Sequence, residues 1–295
     1  MSLLTTALFG GLGNQMFQYA MGRACSLRNS VPFGLDLCAF DFDKSYKRKY
    51  ELHHFQIPGD VRMEYRRTLF TLSRVIRRMP ATSGLISVLM RRAMIVESSR
   101  GFDEQKLFCK SARPVYMMGY WQDERYFSEI GEIIKQDFTL AANLSKANSR
   151  IAERLRDANA VAIHIRRLHE MATKPGAAPI SNAEKVGQVL SGNYYDRALQ
   201  AVLERVNRPL FCVFSDFPQW AQQNLKLHEN SIFLDNDRGP DYEDMILMSM
   251  CRHQIIANSS FSWWGAWLGR HNSQVVIAPR KAKHIPVIPS YWTQI

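Results

Sequence analysis

The chain has 295 residues, 46% of them hydrophobic, and its 38 basic residues outnumber 27 acidic ones for a net charge of +11. This length and hydrophobic content predict two domains with sizeable cores, and the positive charge favours acidic partners such as nucleic acid, an anionic membrane or a phosphorylated small molecule. The five cysteines are odd in number, lie far apart and form no CxxC pair, which argues against a zinc site or a disulfide framework.

The N-terminal residues carry no basic segment, and the apolar run that follows breaks at Gly10-Gly11, so we expect no signal peptide. The apolar run from Leu85 to Met90 is too short to span a bilayer. We therefore expect a cytoplasmic protein. The stretch from Arg62 to Arg100 is rich in arginine, and it is either a solvated helical face or a peripheral contact with anionic lipid on the inner face of the membrane.

The first predicted strand, Leu4 to Phe9, runs into the turn Gly10-Gly11-Leu12-Gly13-Asn14-Gln15 and then into a helix that ends near Arg28. A glycine turn between a strand and a helix start is typical of an anion site, because free N–H groups and the helix dipole point at the turn. The dinucleotide fingerprint is absent, because Met16 takes the place of its third glycine. A tight turn without any ligand is the alternative interpretation.

Five further elements are predicted before residue 159: a strand Val31–Leu37, a helix Met63–Arg78, a strand from Val115 into an aromatic loop, a helix Tyr126–Phe138 and a polar helix Ala141–Ala158. We place the domain boundary after the last of these. The prediction is an N-terminal domain of residues 1–158 and a C-terminal domain of residues 159–295.

From Val161 onward strands and helices alternate, which predicts a parallel, doubly wound sheet. In such sheets ligands bind outside the carboxyl ends of the strands. Three polar clusters fall at predicted strand ends, which predicts a single site: His164 with Arg166 and Arg167, Ser215-Asp216, and Asn258-Ser259-Ser260. The alternative for the arginines is an ion pair with a nearby acid.

Two DxD segments, Asp41-Phe42-Asp43 and Asp235-Asn236-Asp237, are similar to the metal-binding carboxylates of one glycosyltransferase class. The pattern is short and common, and arginines at the strand ends can neutralise a diphosphate instead. We therefore expect no metal ligand. HExxH, GxSxG, Walker A and the usual nucleic-acid-binding patterns are absent from the sequence.

Three segments resemble glycosyltransferase family 11, the bacterial and animal α-1,2-fucosyltransferases: Gly10–Ala20, His164–Arg167 and Ala257–Leu268. They follow the family's order and span nearly the whole chain. The resemblance implies a GT-B-like α/β fold with two Rossmann-like domains facing a central cleft, the first on the acceptor side and the second binding the GDP-sugar. It also implies inverting transfer of fucose from GDP-β-L-fucose to the 2-hydroxyl of a terminal galactose, without metal or cofactor, in surface-polysaccharide synthesis.

The resemblance further implies which residues contact the donor. These are Arg166 and Arg167 at the diphosphate, His164 at the guanine or ribose, Asp244 at the guanine, Ser259 and Ser260 at a phosphate, and Gly11, Gly13 and Asn14 at phosphate and fucose. Asp216 and Phe261 adjoin the same strand ends and complete the set. Arginines and backbone N–H groups aimed at a departing GDP stabilise the charge that grows on it.

One departure concerns the residues after the arginine pair, where the family usually has Gly-Asp-Tyr and this chain has Leu168-His169-Glu170. We expect a general base for the acceptor at His169 or Glu170, or a loop that binds a different acceptor. The acceptor beyond galactose and the oligomeric state stay open. Two alternatives to a fucosyltransferase also stay open: a non-catalytic binder of GDP-sugar or nucleic acid, and a metal-dependent glycosyltransferase with another donor.

Overall fold

A computed structural model describes residues 4–44, 46–90, 93–97, 101–108, 113–167, 189–227, 230–269, 271–280 and 286–295. The chain forms two compact units, Met1–Ala142 and Asn143–Ile295. Each is built on a parallel sheet with helices, so the predicted α/β class with two Rossmann-like domains is confirmed. The candidate bases His169 and Glu170 lie outside the described residues.

The described strands of the first unit are β1 (Leu4–Ala7), β2 (Phe33–Asp36), β3 (Arg62–Glu64), β4 (Ala93–Val96) and β5 (Val115–Met118). They run parallel in the order β3-β2-β1-β5-β4. The helices of this unit are α1 (Leu12–Asn29), α2 (Arg67–Arg78), α3 (Ser83–Leu89) and α4 (Gly131–Asp137). All four positions of the central strand β1 are buried, as expected for a parallel strand covered on both faces.

The described strands of the second unit are β6 (Ala160–Ile165), β7 (Leu210–Ser215), β8 (Ser231–Phe233), β9 (His253–Ile255), β10 (Val276–Ala278) and β11 (Thr293–Gln294). They too run parallel, in the order β11-β10-β9-β6-β7-β8. The helices are α5 (Lys146–Arg156), α6 (Gly192–Leu203), α7 (Pro218–Asn224), α8 (Asp241–Met250) and α9 (Ser260–Gly269).

The alternation in β6 places its side chains in two different cores. Val161, Ile163 and Ile165 pack in the cluster that includes the tyrosines of α6. Ala160 and Ala162 pack on the opposite face, in the cluster that includes residues of α5 and α8. Because both faces are apolar up to residue 163, His164 and the arginines are polar exceptions at the end of a buried strand.

The two units divide between Ala142 and Asn143, earlier than the predicted boundary at 158–159. The reason is α5, which belongs to the second unit. The backbone N–H and the hydroxyl of Ser145, at the start of α5, donate to the Glu243 carboxylate of α8 at 3.0 and 2.7 Å. Leu155 of α5 packs in the same cluster as Leu247 of α8.

Three elements of the first unit differ from the prediction. The predicted helix Tyr126–Phe138 is shorter, because 3₁₀ turns precede α4, which begins at Gly131. The predicted helix Met63–Arg78 is split, because residues 62–64 form β3 and the helix begins only at Arg67. β4 was not predicted at all. Both are edge strands of the sheet, and edge strands show a weak sequence pattern because they have only one neighbouring strand.

Candidate functional site

Three predicted polar clusters meet at the carboxyl edge of the second sheet, because β6 lies between β7 and β9. A guanidinium nitrogen (Nη1) of Arg166, just after β6, lies 3.1 Å from Oδ2 of Asp216, just after β7. The backbone N–H of Arg167 donates to Oδ1 of the same carboxylate at 2.7 Å. The ion pair that was the alternative to ligand binding is therefore present, and with the Arg167 hydrogen bond it fixes the backbone at the end of β6.

The two arginines have different environments. The Arg166 side chain is 30% exposed. The Arg167 residue is 3% exposed, its guanidinium carbon lies 3.8 Å from the ring centre of Trp220, and it donates to the Leu190 carbonyl at 3.1 Å. Arg166 can therefore meet a ligand, whereas Arg167 anchors the strand end by a cation–π contact. No sequence pattern indicates a role for Trp220 or Leu190.

His164 is buried at the end of β6, with its ring centre 5.7 Å from that of Phe261. Burial, with a smaller contribution from the Arg166 charge, lowers the pKa of His164 to about 3. The imidazole is therefore neutral at physiological pH. Its Nδ1 is buried without a hydrogen-bond partner among the described residues, so the ring has an unused polar atom beside the candidate site.

The serine pair forms the start of α9, after β9. The Ser259 hydroxyl accepts from the Phe261 N–H at 3.2 Å, and the Ser259 carbonyl accepts from the Trp263 N–H at 3.1 Å. Ser259 and Ser260 are half-buried. The arrangement is an N-terminal helix cap, where the helix dipole favours an anion.

The tryptophans of α9 serve the core. Trp263, Trp264 and Trp267 are fully buried and contact one another, so all three belong to the core. The Trp263 indole N–H donates to the Val287 carbonyl at 3.0 Å. This packing holds the α9 cap rigidly in place.

Asp244 lies in the first turn of α8, and its carboxylate pairs with Arg238 at 2.7 Å. Burial raises the pKa of Asp244, while the Arg238 charge opposes that rise. Arg238 also donates to the Asn148 side chain at 2.6 Å and to the Asp235 carbonyl at 2.6 Å. Sequence reasoning missed Arg238, which is the present partner of the expected guanine-binding carboxylate.

In the first unit the glycine turn connects β1 to α1. Gly10 has a positive φ of 80°, and a Cβ there would lie 2.7 Å from Nδ2 of Asn14. Gly11 is the N-cap of α1 with φ −78° and ψ 173°, and a Cβ on it would lie 3.7 Å from the Arg48 guanidinium carbon. Gly10 is thus required by backbone conformation, whereas Gly11 leaves space between the helix start and Arg48.

Two buried glutamines hold this turn. Gln15 donates to the carbonyls of Gly10 and Lys49 at 3.0 and 2.8 Å, and accepts from the Glu51 N–H at 3.0 Å. The Gln18 amide exchanges two hydrogen bonds with the backbone of Phe9. Their role in the motif is therefore structural, because both side chains hold the backbone of the turn in place.

Asn14 is oriented by the segment that follows β5. Its side-chain oxygen accepts from Gln122 at 2.9 Å. Trp121, which precedes Gln122 in the chain, has a left-handed φ of 54°, which is unusual for a bulky side chain. The Glu97 carboxylate stabilises this conformation by accepting from the N–H groups of Tyr120 and Trp121.

The first DxD segment has a structural role, because Asp43 accepts from the N–H groups of Tyr46 and Arg48 at 3.0 and 3.2 Å. Over the described ranges, no group of three or more His, Cys, Asp or Glu side chains is placed to hold a metal ion. Likewise, none of the helices found there is long and apolar enough to cross a membrane.

The two parallel-sheet α/β units have the GT-B-type fold of glycosyltransferases, and the second unit has an arginine and a helix cap at adjoining strand ends. Residues 87–285 match the model of Glycosyl transferase family 11. The chain belongs to this family, as its three motifs indicated, and it is therefore a glycosyltransferase.

Two Escherichia coli proteins are similar to nearly the whole chain. An alpha-1,2-colitosyltransferase is 33% identical over 95% of this chain and 92% of its own length. The O-antigen biosynthesis glycosyltransferase WbnK is 30% identical over 94% and 93%. The fold is similar to that of the fucosyltransferase NodZ from Bradyrhizobium, with a TM-score of 0.52 at 12% identity over 89% of this chain and 91% of that one. One NodZ structure was soaked with GDP-fucose.

Proposed function

We propose that this protein transfers L-fucose from GDP-β-L-fucose, with inversion, to the 2-hydroxyl of a terminal galactose on a surface glycan such as an O-antigen. The observation that carries the proposal is the partly exposed guanidinium of Arg166, which pairs with Asp216. Arg166 directly follows β6, and β6 lies next to β9, the strand that leads into the Ser259–Ser260 cap. The motif resemblance supports the proposal. So do the names of the two Escherichia coli relatives, one of which states an α-1,2 linkage and the other a role in O-antigen biosynthesis.

In this reaction the bond between the fucose anomeric carbon and the diphosphate breaks, and GDP leaves with the bonding electrons. The acceptor oxygen attacks the opposite face of that carbon and loses its proton to a base. Arg166 and the N–H groups at the start of α9 would stabilise the charge that grows on the diphosphate, a contribution worth about 10²-fold in rate for one lost donor.

The base remains assigned to His169 or Glu170, which follow the arginine pair in the sequence. His164 is unsuited to that role, since a pKa of about 3 makes it too weak a base near neutral pH. Its neutral ring and the Phe261 ring are better suited to contacts with the guanosine. Arg167, buried against Trp220, is a positioning residue for Arg166 in this proposal.

Asp244 would bind the guanine, whose ring N–H and amino group both donate hydrogen bonds to a carboxylate. The base would compete with Arg238 for that carboxylate. In the first unit we propose that Gly11, Gly13 and Asn14 bind phosphate or sugar groups of the substrates. No metal is required in this scheme, because cationic and N–H groups neutralise the diphosphate.

The test is incubation with GDP-fucose and a panel of β-galactosides, with linkage analysis of the product and with EDTA in a parallel reaction. We expect an α-1,2-fucosylated galactose and undiminished turnover in EDTA. Arg166→Ala should lower kcat/KM by about 10²-fold or more. Arg150→Ala, at an exposed position of α5, is the matched control and should have no effect. Wild-type turnover in Arg166→Ala, or loss in EDTA that Mn²⁺ restores, would contradict the scheme.

A second candidate donor is favoured by the 33% identical relative, which is a colitosyltransferase. Colitose is L-fucose without its 3-hydroxyl, so GDP-colitose would offer the same diphosphate and guanine to the residues named above. Direct competition between GDP-fucose and GDP-colitose for one acceptor decides between them. A site that hydrogen-bonds the 3-hydroxyl rejects the deoxy sugar strongly, because the protein partner is left unpaired.

A further inference from the structure

We propose that a surface formed by α2 and α3 docks the protein on an anionic lipid bilayer. This surface, the α2–α3 surface, consists of an arginine stripe and an adjoining apolar face: Arg67, Arg74, Arg78, Met79, Leu85, Val88 and Leu89. Both helices contact β4, an edge strand of the first sheet. The inference goes beyond glycosyl transfer and does not depend on the identity of the sugar.

The apolar face lies on α3. Leu85, Val88 and Leu89 are spaced i, i+3 and i+4, so they share one side of the helix. They are 65%, 62% and 70% exposed, whereas Ile86 packs inward and is 8% exposed. A single exposed leucine needs no explanation, but several large aliphatic side chains on one face of a short helix mark an interaction surface.

The apolar face continues toward α2 through Met79, which is 59% exposed and directly follows the helix. Arg67, Arg74 and Arg78 are spaced seven and four residues apart, so they form one stripe along α2. All three are exposed. The guanidinium of Arg67 lies over the ring of Phe42, and that of Arg74 over Phe70, which holds both charges at the surface.

The charge of this region is one-sided. Residues 65–96 contain seven arginines and no aspartate, glutamate or lysine. A negatively charged partner is therefore attracted without any opposing acid in the segment. Each basic residue near an anionic membrane surface contributes about 1 kcal/mol to binding.

A lipid bilayer satisfies both halves of the α2–α3 surface at once. Amphipathic helices of this kind lie in the plane of the interface with their apolar side chains inserted and their basic side chains among the head groups. Nucleic acid would pair with the arginines but would leave Leu85, Val88 and Leu89 in water. The seven-residue α3 is far shorter than a membrane span, so the contact is peripheral.

The experiment is sedimentation of the full chain with vesicles of phosphatidylcholine plus phosphatidylglycerol, compared with phosphatidylcholine alone. We expect binding to the anionic vesicles at low salt and much weaker binding at high salt. Two double variants test the two parts of the α2–α3 surface separately. Leu85→Ser with Leu89→Ser changes the apolar face, and Arg74→Glu with Arg78→Glu changes the arginine stripe. Each should reduce the vesicle-binding constant by about tenfold or more, given the size of the lost apolar and electrostatic contributions.

The matched controls are Leu203→Ser on α6 and Arg150→Glu on α5, both at exposed positions outside the α2–α3 surface. They should bind vesicles like the unchanged protein. Circular dichroism and thermal unfolding check that every variant is folded. Absence of binding to anionic vesicles at low salt would overturn the proposal. Undiminished vesicle binding by the Leu85→Ser, Leu89→Ser variant would also overturn it, because attraction through charge alone would fit a soluble polyanion equally well. Vesicle binding is independent of transfer activity, so each proposal can fail without the other.

Discussion

Asp216 holds both arginines that follow β6, with one carboxylate oxygen 3.1 Å from the Arg166 guanidinium and the other accepting from the Arg167 backbone N–H at 2.7 Å. A single carboxylate therefore ties the ends of two adjacent strands together. It also fixes the direction in which the most exposed arginine of the site points.

Asp216→Asn and Asp216→Ala should separate these two roles. Asparagine retains an acceptor for the Arg167 N–H but loses the charge, whereas alanine loses both. We expect Asp216→Ala to lower the free energy of unfolding by about 1–3 kcal/mol, and Asp216→Asn by less, because only alanine leaves the N–H without its acceptor. Urea unfolding measures the difference. Equal stability of the two variants would show that the backbone hydrogen bond contributes little.

Gly10→Ala and Gly11→Ala form a second matched pair, in the turn before α1. Alanine at position 10 must adopt φ 80° and place a Cβ 2.7 Å from the Asn14 side chain, whereas alanine at position 11 keeps φ −78° and meets Arg48 at an ordinary 3.7 Å. We expect Gly10→Ala to destabilise the chain by about 1–2 kcal/mol or more, and Gly11→Ala to leave thermal unfolding nearly unchanged.

Transfer activity tells more about Gly11. If substrate groups approach the start of α1, a methyl group there should raise KM without altering stability. An unchanged KM would remove Gly11 from the proposed binding residues. A stable Gly10→Ala variant would contradict the structural account of the turn.

The sequence predicts the strand ends that bear His164, Asp216 and Ser259, because period-2 alternation and regular spacing locate buried parallel strands. It could not separate Arg166 from Arg167, since their environments depend on Trp220 and Leu190, which are distant in sequence and reach the site only through folding. Nor could it show that Gln15 serves the backbone rather than a substrate.

The same limit explains why the boundary between the two units and the role of Arg238 could not be found from the sequence. α5 has a polar sequence, and its membership of the second unit depends on the contacts of Ser145 and Leu155 with α8. Arg238 was hidden inside a DxD-containing loop, and its pairing with Asp244 follows from a turn that sequence patterns do not specify.

Asp244→Asn tests the guanine site. An asparagine can accept only one of the two hydrogen bonds that guanine donates, and its amino group would face a donor. We expect the affinity for GDP to fall by about 10- to 100-fold, the value of a hydrogen bond to a charged group. The preference for GDP over ADP should fall with it. Asp241→Asn, in the same helical turn, is the control, and an equal loss there would point to helix charge instead of base recognition.

His164 predicts a dependence of stability on pH. Its pKa is about 3 in the folded protein, below the ordinary 6.5, chiefly because burial disfavours the charged ring and secondarily because Arg166 repels it. Between these two pH values the unfolded chain binds a proton that the folded chain does not. The unfolding free energy should therefore fall as the pH drops from 6.5 toward 3, by up to about 1.4 kcal/mol per pH unit from this residue.

His164→Gln removes this contribution, while the other titrating groups, including His253 with its own lowered pKa, remain in both proteins. The unfolding free energy of the unchanged protein minus that of His164→Gln should therefore decrease as the pH falls from 6.5 toward 3. The expected slope is up to about 1.4 kcal/mol per pH unit. Parallel curves would show that His164 is protonated as readily in the folded chain as in the unfolded one. The acid limb of the pH–rate profile should be unchanged in position in the variant, because a ring that stays neutral near pH 6.5 cannot be the group that titrates there.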